Sequence, residues 1–169
     1  MQMSSIFYLS LGSNVGDREG HLREAIRRLG MVARVVSVSS FYETEPVEFT
    51  DQEWFLNCAG ALETEKPPEE LMAALLKIER EMGRRRSQNK GPRKIDLDIL
   101  LAGDVIVDTP ELSIPHPAMH ERRFVLEPLT EIAPEAWHPV MKKGVMQLLD
   151  DLPTGQVVRR VISRPTRDR

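Results

Sequence analysis

Two carboxylates stand two residues apart, Asp96 and Asp98, in the run Ile95 to Leu101, where apolar and acidic side chains alternate at period two. Side chains leave a strand on alternate faces, so both carboxylates share one face, with roughly 7 Å of rise between their Cα atoms. Ile95, Leu97 and Ile99 hold the opposite face and set the register. Two like charges this close stay ionised beside a cation, and hard Mg²⁺ suits them because it takes one or two carboxylates and completes its shell with water and phosphate oxygens. An isolated D-x-D is more often the polar face of a half-solvated strand. What precedes it changes the reading: Arg84 to Lys94 (RRRSQNKGPRK) holds six basic residues and no acidic or large apolar one. Such a segment cannot pack as a core element and is expected to be an exposed, mobile loop. A cationic loop running into a carboxylate pair is the chemistry of a nucleotide polyphosphate site. No G-x-x-x-x-G-K-[ST] loop and no kinase H-R-D or D-F-G set occurs, so the site is neither a P-loop nor a protein-kinase centre.

The elements that must position these groups follow from periodicity. Ser5 to Leu11 predicts a first strand ending at the turn Gly12-Ser13-Asn14. Asp17 caps a helix whose Leu22, Ala25, Ile26 and Leu29 share a face, with Gly30 at its end. Ala33 to Tyr42 and Phe55 to Glu63 read as strands, joined by an acidic stretch around Glu43 to Glu53 long enough to be functional. Pro67-Pro68 opens a second helix with Leu71, Leu75, Ile78 and Met82 on one stripe, closed by Gly83. The order β-α-β-β-α-β predicts an α+β fold with a ferredoxin-like core, a single layered α/β domain. C-terminal additions follow: short strands at Val105 to Val107 and Leu112 to Ile114, a helical piece over Arg123 to Ile132 broken by Pro128, and a helix over Val145 to Leu152. The domain is expected to span residues 1–158, with the arginine-rich residues 159–169 as a frayed basic tail.

Composition narrows the classes further. The chain has 169 residues, 41% hydrophobic and 29% charged, which suits one soluble globular domain. A net charge of −3 removes the broad cationic surface of a non-specific nucleic-acid binder, so any basic site is local. The single cysteine, Cys58, lies in an apolar stretch and reads as a buried thiol in a reducing compartment. There is no apolar run of transmembrane length and no basic signal-peptide start, and a cytoplasmic location is the expectation.

Five colinear segments carry a family resemblance: YLSLGSNVGDR (Tyr8 to Arg18), VSSFYETEP (Val38 to Pro46), FLNCAGALET (Phe55 to Thr64), GPRKIDLDILL (Gly91 to Leu101) and IPHPAMHERRFVLEPLTEIAP (Ile114 to Pro134). In this order they resemble the 6-hydroxymethyl-7,8-dihydropterin pyrophosphokinases of folate biosynthesis, from about Tyr8 to Leu152. The resemblance implies transfer of the β,γ-pyrophosphoryl group of ATP to the pterin hydroxymethyl oxygen, giving AMP and the pterin diphosphate. It implies that Asp96 and Asp98 bind two magnesium ions and that Arg84, Arg86 and Arg93 lie on the ATP phosphates, all five being catalytic. His116 and Arg122, in P-H-x(5)-R, correspond to nucleotide contacts. Phe55, Asn57 and Phe124 correspond to positions that stack on the pterin and read its edge, with Thr44 and Val47 giving backbone contacts and Asp96 reaching the same substrate. Gly12, Ser13 and Asn14 resemble the first turn under that pocket. The loop departs from the family pattern at Asn89 and Lys90, where members carry a basic residue followed by tryptophan, and it is one residue shorter than in the best-known bacterial form.

The expected partners are the small molecules ATP and the pterin, with no nucleic acid and no membrane, and the chain is expected to be a monomer. Two other readings compete. A ferredoxin-like sheet can bind single-stranded RNA, but that needs solvent-facing aromatics, and only 5% of the residues are aromatic. A magnesium-dependent nuclease or phosphatase could use the same aspartates without a pterin pocket.

Overall fold

The computed structural model describes residues 3–46, 53–83 and 94–161. The chain runs β1 (Ser5–Ser13), α1 (Arg18–Leu29), β2 (Arg34–Val38), β3 (Tyr42–Thr44), β4 (Phe55–Thr64), α2 (Pro68–Glu81) and β5 (Asp96–Leu101). After these come β6 (Val107–Asp108), β7 (Ser113–Ile114), a 3-10 turn (Met119–Glu121), α3 (Arg123–Ile132), β8 (Trp137–His138), β9 (Lys143–Gly144), α4 (Val145–Asp150) and β10 (Val158–Arg160). The fold is mixed α/β, with one main sheet ordered β10-β3-β4-β1-β5 and β2 paired to the far half of β4. Every pairing in that sheet is antiparallel.

Local signals account for the helix ends. The Asp17 carboxylate accepts the Gly20 N–H at 3.0 Å, which satisfies one of the orphan donors of the first turn of α1. Pro68 opens α2, where its missing N–H costs nothing, and Gly83 leaves it at φ +95°, a conformation that favours glycine.

Strand register divides the core in two. Leu9, Leu11, Leu56, Cys58, Leu97 and Ile99 face the buried stripes of α1 (Leu22, Ala25, Leu29) and α2 (Leu71, Leu75, Ile78). On the other face, Ala59, Leu100 and Leu101 pack with Met119, Val125, Leu126, Leu129, Val145 and Leu148 from the C-terminal elements. This second cluster does not include the row Asp96, Gly12 and Asn57, which registers directly across β5, β1 and β4 on the same face. A register shift where β5 passes Tyr8 and Leu9 lets both Leu100 and Leu101 join the second cluster after Asp96 and Asp98.

Three expectations are corrected. The single strand over Ala33 to Tyr42 is two, because at Ser39 the side chain enters the ladder: Ser39 N–H donates to Ala59 O and Ser39 Oγ accepts the Ala59 N–H, each at 2.9 Å. Pro128 does not break α3, which runs from Arg123 to Ile132 with Pro128 buried. The proline removes only one helical hydrogen bond there, and the packing of Val125, Leu126 and Leu129 offsets it. The hairpin of β8 and β9 follows no period long enough to read in advance. The basic tail does not fray from Arg159: Arg159 and Arg160 pair with Glu43 and Tyr42 in β10, and Arg159 also meets the Glu43 carboxylate at 3.2 Å and lies over the Trp54 ring. Cys58 is buried, and burial pushes its thiol up to about 12, as an inert core cysteine requires. No helix among the described residues is long and apolar enough to cross a membrane.

Candidate active site

The site is built on a row of the sheet that lies outside the second core cluster. Gly12 is flanked in register by Asp96 on β5 and Asn57 on β4, while Ser10, two residues earlier, is flanked by Asp98 and Ala59. Both aspartates are half-buried and share the face of Asn57, as alternation along β5 requires. Glycine at position 12 is a matter of space: a Cβ there would stand 2.7 Å from Asn57 Nδ2 and 3.6 Å from the Phe55 ring. The absent side chain lets the amide and the aromatic edge lie down over the backbone of β1.

Asn57 is 3% exposed, and its Oδ1 is buried with no hydrogen-bond partner among the described residues. Thr44, opposite Phe55 in the β3–β4 pairing, buries its Oγ1 in the same unsatisfied state. Two orphaned acceptors on one sheet face are costly in a finished core and economical where a polar ligand completes them. The rim is tied down by the first turn: Asn14 Nδ2 donates to Glu53 O at 3.5 Å, and Arg18 donates to Trp54 O at 2.8 Å and to Glu43 at 2.9 Å. Phe124 lies in the first turn of α3, half-buried against the second cluster, with the Arg122 guanidinium 5.6 Å from its ring centre. Val47 lies outside the described residues.

His116 is anchored to the carboxylate strand, its N–H donating to Leu100 O at 2.9 Å. Its Nδ1 accepts the Ala118 N–H at 3.1 Å, so the neutral ring carries its proton on Nε2. Burial lowers its pKa first, and the Arg122 charge lowers it further against the opposing pull of Asp96, to about 4. His116 is therefore a neutral donor at pH 7, within electrostatic reach of both Arg122 and Asp96. Arg84, Arg86 and Arg93 lie outside the described residues, between Gly83 at the end of α2 and Lys94 before β5.

One residue was missed by sequence reading. Glu79 of α2 is 2% exposed and accepts the Leu97 N–H at 2.7 Å, the amide between the two aspartates on the sheet's edge strand. The signal was available: Glu79 stands four residues after Leu75 and eight after Leu71, inside the apolar stripe, where a carboxylate needs a reason.

The donor set can be tested against a metal by its chemistry. No cluster of three or more His, Cys, Asp or Glu side chains gathers among the described residues. Two half-buried strand carboxylates are hard oxygen donors, which suits a Mg²⁺ that keeps water and substrate oxygens and does not suit a closed zinc site.

Comparison with known proteins places the chain in a family. Residues 8–134 match the family model of 7,8-dihydro-6-hydroxymethylpterin-pyrophosphokinase (HPPK). The chain is 49% identical over 132 residues to the 2-amino-4-hydroxy-6-hydroxymethyldihydropteridine pyrophosphokinase of Bacillus subtilis, covering 77% of this chain and 79% of that one. The Aquifex aeolicus protein of the same name is 40% identical over 140 residues, covering 83% of this chain and 88% of that one. The Schizosaccharomyces pombe folic acid synthesis protein fol1 is 42% identical over 153 residues, covering 89% of this chain but 21% of that longer protein. In structure, the chain is similar to Plasmodium falciparum HPPK-DHPS with pteroate at a TM-score of 0.72 and 16% identity, covering 89% of this chain and 42% of the solved one, a likeness of fold. The chain thus belongs to the 7,8-dihydro-6-hydroxymethylpterin-pyrophosphokinase family, enzymes of pyrophosphoryl transfer in folate biosynthesis.

Proposed function

We propose that this end of the sheet is the catalytic centre at which the β,γ-pyrophosphoryl group of ATP passes to the hydroxymethyl oxygen of 6-hydroxymethyl-7,8-dihydropterin. The observation that carries this is the row Asp96, Gly12 and Asn57 across three strands of one face. Neighbouring strands lie roughly 4.8 Å apart, so a flat bicycle held at Asn57 can present its hydroxymethyl arm toward Asp96. Asn57 and Thr44 read the pterin edge, Phe55 and Phe124 offer ring faces, and Val47 adds a backbone contact. His116 donates from Nε2 to the nucleotide, Arg122 remains cationic beside it, and Arg84, Arg86 and Arg93 cradle the phosphates with bidentate guanidinium forks. Asp96 and Asp98 would hold two Mg²⁺ ions, which when bound neutralise the phosphate charge and help align the reacting oxygens. The oxygen–Pβ bond forms as the bond from Pβ to the bridging oxygen of the α-phosphate breaks, so that oxygen leaves on AMP, and the hydroxyl proton passes to solvent water. Positioning supplies much of the acceleration, because the protein has little covalent chemistry to do.

The βαββαβ core, with β5-β1-β4-β2 running antiparallel, is read as ferredoxin-like with C-terminal additions, forming one domain from the N-terminus through β10. A monomer acting on small molecules in the reducing cytoplasm completes the reading. The RNA-binding and nuclease or phosphatase alternatives gain no support from the family relationships. Incubation with ATP, Mg²⁺ and the pterin, followed by mass spectrometry, should give AMP and pterin diphosphate in equal amounts. ADP formed in equal amount to a phosphorylated pterin would overturn the proposal.

A further inference from the structure

The hairpin of β8 and β9 carries a buried histidine that the reaction above does not use. His138 is 3% exposed, and its Nδ1 accepts two backbone N–H groups, from Val140 at 3.3 Å and Met141 at 3.0 Å. A nitrogen that accepts twice carries no proton, so the neutral ring bears its hydrogen on Nε2. That Nε2 is buried with no partner among the described residues. Facing it is His120 of the 3-10 turn, whose ring centre is 6.1 Å away and nearly perpendicular, and whose Nδ1 is likewise buried without a partner. The pair thus brings one orphaned donor and one orphaned nitrogen able to accept onto adjacent rings. Such groups are joined directly after a small ring movement, or through a single bridging water. A metal does not fit: His138 would have to offer a lone pair on the nitrogen that carries its proton.

The turn that holds His120 also holds the nucleotide residues. Met119 N–H donates to His116 O, Arg122 N–H donates to Met119 O, and Met119 is fully buried in the second core cluster. His120 lies between them in the chain, next to Met119. We propose that His138 is a positioning residue: through His120 it fixes the turn that aims His116 and Arg122 at the nucleotide. Burial, and next the neighbouring His120, lower the His138 pKa, in keeping with a neutral link.

This inference rests on the assignment of His116 and Arg122 to ATP, so the test carries both. In the full-length enzyme, His138→Asn keeps an acceptor for the Val140 and Met141 amides but ends short of the Nε2 position, so its own N–H groups do not reach where the ring donor stood, while His120→Leu removes the neighbouring ring nitrogen. Each should raise the KM for ATP about tenfold, the scale of one lost hydrogen bond, with kcat changed less and the pterin Kd unchanged. The double variant should be no worse than the more affected single one, since both remove the same link. An unchanged ATP KM in His138→Asn, singles whose effects multiply, or an equal loss of pterin affinity would each overturn the inference. His116→Ala and Arg122→Ala serve as the reference: if neither raises the ATP KM, the parent assignment falls, whereas if they do and His138→Asn does not, only this inference falls.

Discussion

Asn57→Leu separates function from stability at one position. The amide is buried, and its Oδ1 has no partner among the described residues, so the ligand-free fold already bears the desolvation of an unmatched acceptor, on the order of 1–3 kcal/mol. Leucine has the same branched shape with bulkier methyl ends, removes that acceptor and adds apolar burial, while Gly12 presents no side chain against it. The unfolding free energy should therefore hold or rise by about 1 kcal/mol, which is the opposite of the usual result for a buried substitution. Pterin binding should collapse. Losing an amide that both donates and accepts, with the ligand's own groups left unmatched, costs roughly 3 kcal/mol, or about a hundredfold in Kd. Urea denaturation and equilibrium pterin binding in one buffer measure both quantities. The reciprocal change, Gly12→Ala, pushes a Cβ to 2.7 Å from Asn57 Nδ2 and should weaken pterin binding by displacing the amide. If Asn57→Leu destabilises the protein by more than about 1 kcal/mol while pterin affinity stays within roughly threefold, the amide is a structural group and the argument fails.

Asp96→Asn and Asp98→Asn preserve shape and remove charge, so each should lower kcat by at least about a hundredfold with the fold intact, read by AMP release and circular dichroism. Glu79→Leu leaves the Leu97 amide without this acceptor at the sheet's edge, and should cost about 2 kcal/mol of stability while lowering kcat, because that amide lies between the two aspartates. Tyr42 OH donates to Glu131 at 2.6 Å, and Ser40 donates to the same carboxylate through its N–H at 2.9 Å. Burial opposes ionisation of Glu131, but these bonds and Arg160 outweigh it, so its pKa falls below the ordinary 4.5. A depressed carboxylate stabilises the fold above its unfolded pKa and loses that contribution as the pH falls below it. Tyr42→Phe should therefore lower stability at pH 7 by about 1 kcal/mol and by less at pH 3, compared by urea titration.

Elements built on long, regular periods were legible from residue order alone. The stripes of α1 and α2, the Asp17 cap, the opening prolines of α2 and the shared face of Asp96 and Asp98 all follow from local stereochemistry. Cys58 as an inert core thiol was legible for the same reason, since apolar neighbours on a strand bury it. The breaks were set by partners distant in sequence. Ser39 interrupts a strand because Ala59 meets its hydroxyl, Pro128 stays helical because the second core holds α3, and Arg159 and Arg160 are ordered by Glu43, Trp54 and Glu131. The site shows the same division. Residue types and spacing pointed to polyphosphate chemistry, but the alignment of Asp96 with Gly12 and Asn57 is a property of register between three strands far apart in sequence. Glu79 on Leu97 and His138 opposite His120 likewise exist only once separate elements pack, because a buried polar group is defined by what surrounds it and the order of residues does not specify those surroundings.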